Sequence, residues 1–168
     1  GTTNGLLEAS QLAAGGNLNK AFEIIDALEK RHVALLPAIT ADFSTLRELL
    51  QTVGAAGNLS ARARDEAVAY GEILSSQIFA DRLRVQGHAV KHIDARQCII
   101  TDNNFGKASP ITEVVARKLE LYARPHIESG RIVVMGGYIG ATEDGITTTL
   151  GRGASDYSAA IAGAAFRQ

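Results

Sequence analysis

A single cysteine, Cys98, leaves this chain of 168 residues without an internal disulfide, which agrees with a reducing compartment. No apolar run approaches the ~18 to 20 residues that cross a bilayer, and no basic segment with an apolar core opens the chain. A membrane partner is therefore not expected, and a cytoplasmic location is. A strong charge of either sign is also lacking: the formal net charge is −1, so nucleic acid is not an expected partner. Low-complexity tracts are absent. The histidines His32, His88, His92 and His126 lack a ligand pattern, so no metal site is expected. His88 and His92 are four apart, yet Gly87 precedes them and Val90 alternates with His92, which describes the start of a strand rather than one helix face. The chain has no initiator methionine and opens on Gly1-Thr2-Thr3-Asn4, so it is read as a piece of something longer.

What is present is enough for a core. Hydrophobic residues make up 46% of the chain, and residues 1–168 are read as a single globular domain. Its organising stretch runs from Arg131 to Gln168. The short, β-branched Ile132-Val133-Val134-Met135, bounded by Gly130 and Gly136, predicts a buried parallel strand. After Glu143-Asp144-Gly145 and Thr147-Thr148-Thr149 comes Gly151-Arg152-Gly153-Ala154-Ser155-Asp156, which leads into an alanine-rich helix.

A glycine-bearing loop that feeds a helix N-terminus suits an anion, because the first N–H groups lack internal partners and the helix dipole is positive there. Arg152 adds a planar fork of donors for a carboxylate or phosphate, and Ser155 or Asp156 is expected to cap the helix. The same residues equally describe a capped helix after an ordinary turn with a solvated arginine. The dinucleotide fingerprint is not met, since Asp156 stands where a third glycine belongs, and no lysine follows the glycines as in a Walker A loop.

Elsewhere the periodicity predicts helices. Leu6, Leu7, Ala9, Leu12 and Ala13 suggest one, with Thr3 or Asn4 as its cap and Gly15-Gly16 at its end. Phe22, Ile24, Ile25, Leu28, Val33 and Leu36 mark a second, closed by Pro37. Phe43, Leu46, Leu49, Leu50 and Val53 mark a third, with Asp42 and Ser44 as capping residues. The longest stretch runs from Leu59 to Gly87, with Ser60 as its N-cap. Its middle reads Tyr70-Gly71-Glu72, and a glycine inside a helix usually marks a close approach. Glu72 beside that gap is a candidate site residue, or else a solvated glutamate next to a packing glycine. Residues 89–94 and 98–102 read as strands, with Asp102 as a turn residue before Asn103-Asn104-Phe105-Gly106. Val114 to Tyr122 is strand or helix. Alternating strands and helices with glycines at strand ends indicate an α/β domain with a largely parallel sheet.

The wording Gly136-Gly137-Tyr138-Ile139-Gly140, a variable hairpin, then Thr147-Thr148-Thr149-Leu150-Gly151-Arg152-Gly153-Ala154-Ser155-Asp156-Tyr157 resembles the aspartokinase branch of the amino-acid kinase family. There the segment reads G-F-I-G and then T-T-T-L-G-R-G-G-S-D-Y. Tyr138 replaces phenylalanine, and Ala154 replaces the second glycine of the arginine loop, which matters if that position needs a positive φ. Gly1 to Leu6 is similar to the family's G-V-T-N-x-L, Gly71-Glu72 to its G-E-x-L-S-S, and the segment around Asn103 to its wording as well.

The resemblance covers nearly the whole chain and implies the three-layer amino-acid kinase fold, here incomplete. It implies transfer of the ATP γ-phosphoryl group to the β-carboxylate of L-aspartate, the first step towards lysine, threonine and methionine, with ATP and Mg²⁺ required and a homo-oligomer expected. Thr3, Glu72, Arg152, Ser155 and Tyr138 inherit substrate-binding roles: Arg152 for a substrate carboxylate, Glu72 for the ammonium. Gly151, Gly153 and Ala154 inherit the anion loop. Asp156 resembles the catalytic aspartate that orders phosphate-binding lysines. The family's K-F-G-G-T-S strand and its W-T-D-V-P-G nucleotide segment have no counterpart in the chain, so these 168 residues are expected to be inactive alone. The alternative reading is a non-catalytic amino-acid-binding or interaction domain derived from such a kinase.

Overall fold

The computed structural model describes residues 1–37, 42–151 and 153–166. The chain forms two compact units, residues 1–74 and 75–168.

The first unit is helical. α1 (Thr2–Ala14), α2 (Leu18–Leu35), α3 (Phe43–Ala56) and the first part of α4 (Ala61–Val85) surround one apolar core. Each helix contributes a stripe at three- and four-residue spacing: Leu6, Ala9 and Ala13 from α1, Ala21, Ile25 and Leu28 from α2, Phe43, Leu46, Leu50 and Val53 from α3. Ala67 and Leu74 complete it from α4. Side chains such as Ile25, Leu46 and Leu50, fully buried here, contribute about 1.5–3 kcal/mol apiece.

The ends of these helices follow from their residues. The Asp42 carboxylate accepts from the hydroxyls of Ser44 and Thr45 and from their backbone N–H groups, and these donors hold its pKa down to about 2. Ser60 Oγ accepts from Ala63 N–H at 3.1 Å at the start of α4. Gly57, with φ 65°, ends α3 in the left-handed conformation. At α1 the expectation fails: Gly1 is the N-cap without a side-chain bond, and Thr3 and Asn4 lie inside the first turn. Helix α1 starts two or three residues earlier than its caps suggested, so both residues are helical themselves and neither stands ahead of the free N–H groups.

In the second unit β1 (Val90–Ile93) pairs in parallel with β2 (Ile132–Met135), in a register that sets Val90 against Ile132 and Ile93 against Met135. The connection carries a 3-10 turn (Ala95–Gln97), α5 (Thr112–Tyr122) and α6 (Arg124–Glu128), as a parallel pair requires a crossover. β3 (Ile139–Ala141) and β4 (Thr147–Thr149) then form an antiparallel hairpin, and α7 (Ala154–Ala165) packs against α5.

The unit is thus α/β with more helix than strand, and it has two small sheets among the described residues in place of one largely parallel sheet. The expected strand at 98–102 is reduced to isolated bridges from Ile100 to Ala141 and Thr101 to Pro110. Successive amides there bond to different places, Thr101 N–H to Ala141, Asp102 N–H to Ser109, so no ladder extends. β2 is less buried than its composition suggested: Val134 is buried, whereas Ile132 is 41% exposed. Residues 114–122, which periodicity left open, are helical in α5. No described helix is long and apolar enough to cross a membrane.

Candidate functional site

In the first unit the glycine inside α4 does mark a close approach. A Cβ built on Gly71 would lie 2.9 Å from Thr3 Oγ1 and 3.7 Å from Thr3 Cα, so α1 presses its first turn against α4 at this point. Structure therefore brings Thr3 and Gly71 together, 68 positions apart in sequence. Glu72 follows on α4, half-buried, and burial pushes its carboxyl above the usual carboxylate range. A cation placed beside it would favour the ionised form.

The second unit builds the glycine loop. β2 runs into Gly136-Gly137, where a Cβ on Gly137 would lie 3.0 Å from both Cα and Cβ of Ser155; only a residue without a side chain lets the strand end come this near α7. Tyr138 follows with φ 67°, a left-handed conformation that is uncommon outside glycine. It is held there from both sides. Its N–H donates to Ser158 Oγ at 3.0 Å, its carbonyl accepts from Leu150 N–H at 2.9 Å, and the Ser158 hydroxyl donates to Ala154 O at 2.9 Å. Ser158 was not singled out from the sequence, where it is one more small residue in an alanine-rich helix.

Gly151 has φ 88° and Gly153 φ 76°, and Gly153 is the N-cap of α7. Ser155 and Asp156 do not cap the helix as expected; both lie in its first turn, exposed, and Asp156 faces the positive end of the dipole. Because the left-handed glycine itself reverses the chain, no side-chain cap is used. Ala154 is helical and buried, so the methyl that replaces the family's glycine sits where alanine is favoured, not at a positive φ. Arg152 lies outside the described residues.

Beside the loop stands a cation that the sequence reading passed over. Lys107 Cγ lies 3.6 Å from where a Cβ on Gly151 would be, and Ala108 N–H donates to Thr149 O at 2.8 Å, tying the 106–108 turn to β4. Its only sequence signal is its place in the segment Thr101 to Ala108. A cavity of about 410 Å³ opens between α5, α6, β2 and α7. It is lined mostly by apolar residues such as Leu119, Val133, Met135 and Phe166, with Gly137 and Ser155 at one end.

The remaining polar groups are structural. The Asp102 carboxylate accepts from Asn104 and Ser109 N–H at 3.1 and 3.0 Å, the turn role expected of it. Arg96 pairs with Asp94 at 2.6 Å and donates to Thr147. His92 bonds Ser76 at 3.0 Å, and Cys98 is buried with its thiol pushed up to about 11, which leaves it unreactive. Among the described residues, no three of His, Cys, Asp or Glu are grouped to hold a metal ion.

The chain has known counterparts. The sequence pattern of the amino acid kinase family matches residues 1–167. Lysine-sensitive aspartokinase 3 of Escherichia coli is 33% identical over 158 residues, which cover 89% of this chain and 35% of that protein. The aspartokinase of Chlamydia trachomatis is 29% identical over 97% of this chain and 37% of its own length. Two crystal structures of E. coli aspartokinase III superpose with TM-scores of 0.79 and 0.78 at 32% identity, each over 99% of this chain and 38% of the other. One is the complex with lysine and aspartate, the other the complex with aspartate and ADP. The chain spans little more than a third of the length of these relatives, and with a family pattern that runs through both units it belongs to the amino acid kinase family.

Proposed function

We propose that this chain is the amino-acid-binding portion of an aspartate kinase with the three-layer amino-acid kinase fold. The activity proposed for the whole polypeptide is transfer of the ATP γ-phosphoryl group to the β-carboxylate of L-aspartate. An oxygen of the ionised β-carboxylate attacks the γ-phosphorus, the bond to the β,γ-bridging oxygen breaks, and its electron pair leaves with ADP. The product is an acyl phosphate, and no proton has to move. Such a reaction asks the protein for positioning and for donors aimed at developing charge, not for a nucleophile of its own.

The roles are those that the resemblance implies. Glu72 receives the substrate ammonium, Thr3 and Ser155 hydrogen-bond around the amino acid, Tyr138 shapes its pocket, and Arg152 clamps a carboxylate. The N–H groups at Gly151, Gly153 and Ala154 receive negative charge at the head of α7. Asp156 orients cationic groups on the phosphate side. Mg²⁺, arriving on the nucleotide, would neutralise phosphate charge.

The observation that carries the reading is the pair of left-handed glycines leading into α7, inside wording that resembles the family's, on a fold that superposes on an aspartokinase solved with aspartate and ADP. Titration calorimetry with L-aspartate tests it. Charge-assisted contacts contribute on the order of 1.5–3 kcal/mol each, so Glu72→Gln and Arg152→Ala should each weaken binding at least about tenfold. Variants that titrate like the parent would refute the assignment. A coupled assay of ADP release, with aspartate and ATP, tests the transfer in the longer polypeptide; turnover by the 168 residues alone at its rate would overturn the reading of this chain as a binding portion.

A further inference from the structure

The first turn of α1 has no side-chain cap, yet its start is anchored. Three side chains and one carbonyl do this, and chemistry fixes the role of each. The Leu28 carbonyl can only accept, so the proton across its 2.6 Å contact with His32 sits on Nδ1. In that tautomer Nε2 presents a lone pair, and the Thr2 hydroxyl donates to it across 3.3 Å. The guanidinium of Arg31 is a donor only, and it donates to Thr2 Oγ1 at 2.6 Å. His32 is 5% exposed, a buried polar group in the last turn of α2 whose two ring nitrogens both have partners. Donation runs one way, from Arg31 through Thr2 and His32 to Leu28.

One residue further along the same turn is Thr3, whose Oγ1 lies over Gly71. We propose that Thr2 and His32 are positioning residues for the amino-acid site: by tying the first turn of α1 to the end of α2, they hold the Thr3 hydroxyl over Gly71. The inference rests on the reading of Thr3 and Glu72 as amino-acid contacts. Without the tie, an uncapped first turn frays, as helix ends do, and the hydroxyl loses its fixed place. Valine matches threonine in shape and branches at the same carbon, so it removes the hydroxyl and little else.

The test compares Thr2→Val, which keeps the side-chain shape and removes the hydroxyl, with Thr2→Ser, which keeps the hydroxyl. In NMR spectra of the 168-residue chain, nuclear Overhauser contacts between Thr3 side-chain protons and the Gly71 α-protons are expected in the parent and in Thr2→Ser, and are lost in Thr2→Val. Long-range ¹H–¹⁵N spectra should show the Nδ1–H tautomer of His32. In aspartate titrations Thr2→Val should weaken binding about tenfold and Thr2→Ser less than about twofold. On a Thr3→Val background, Thr2→Val should add nothing, because it acts through Thr3.

Persistent Thr3–Gly71 contacts in Thr2→Val, an unchanged affinity, or additive effects in the double variant would overturn the proposal. If instead Thr3→Val and Glu72→Gln leave aspartate binding untouched, or the parent gives no heat with aspartate, it is the amino-acid reading that fails. The Overhauser contacts still decide the anchor.

Discussion

Replacing Gly71 with alanine separates the two reasons a glycine can stand inside a helix. For α4 alone the change is favourable, since alanine is about 1 kcal/mol better than glycine in a helix interior. The added methyl, however, would lie 2.9 Å from Thr3 Oγ1, while Thr3 Cα and Leu6 Cδ1, both at 3.7 Å, are at ordinary contact distance. A single atom obstructs it, and that atom ends a side chain with one rotatable bond. Turning it away costs about 0.5–1.5 kcal/mol, so helix gain and rotamer loss nearly cancel. The melting temperature of Gly71→Ala should therefore stay within a few degrees of the parent.

Affinity behaves differently. The hydroxyl that we assign to the amino acid is displaced, and a hydrogen bond to a charged group is worth about 1.5–3 kcal/mol, or roughly 10- to 150-fold in Kd. Calorimetric melting and L-aspartate titration on one preparation read both quantities. Thr3→Ala provides the control: with the obstructing oxygen gone, Gly71→Ala on that background should stabilise the chain by about 1 kcal/mol. A large fall in stability with unchanged affinity would refute the reasoning, because Gly71 would then serve packing and nothing else.

Two further outcomes follow from the site. Ser158→Ala removes the acceptor for Tyr138 N–H and should destabilise the chain by about 1–3 kcal/mol in urea unfolding; a change under about 0.5 kcal/mol would mean that Tyr138 is held by other contacts. Burial raises the pKa of Glu72 in the folded chain, so its contribution to stability is fully present below the ordinary carboxylate range and is lost as pH rises through the raised value. Glu72→Gln should abolish that slope, and aspartate affinity in the parent should rise with pH over the same window as the carboxylate ionises. An identical pH profile for parent and variant would show that Glu72 does not titrate as placed.

Much of this was legible in the residues. The stripes of α1, α2 and α3, the caps Asp42 and Ser60, the strands at Val90 and Ile132 and the glycine-led helix α7 follow from spacing and turn chemistry, which are local. The close approach at Gly71 was implied by a costly glycine in a helix, though not its partner. What only the tertiary structure decided depends on pairings that sequence distance hides. Ile100 and Thr101 have strand-like composition but find no ladder, since their amides are claimed one at a time by separate segments. Tyr138 takes a positive φ because Ser158 and Leu150 hold its backbone from two sides, something no property of tyrosine suggests. Thr2, Arg31 and His32 are unremarkable where they stand in the sequence, and become one anchor only when α1 and α2 pack. Local propensity selects helices and turns within a few residues, whereas a hydrogen bond between distant side chains exists only once the core has fixed both ends.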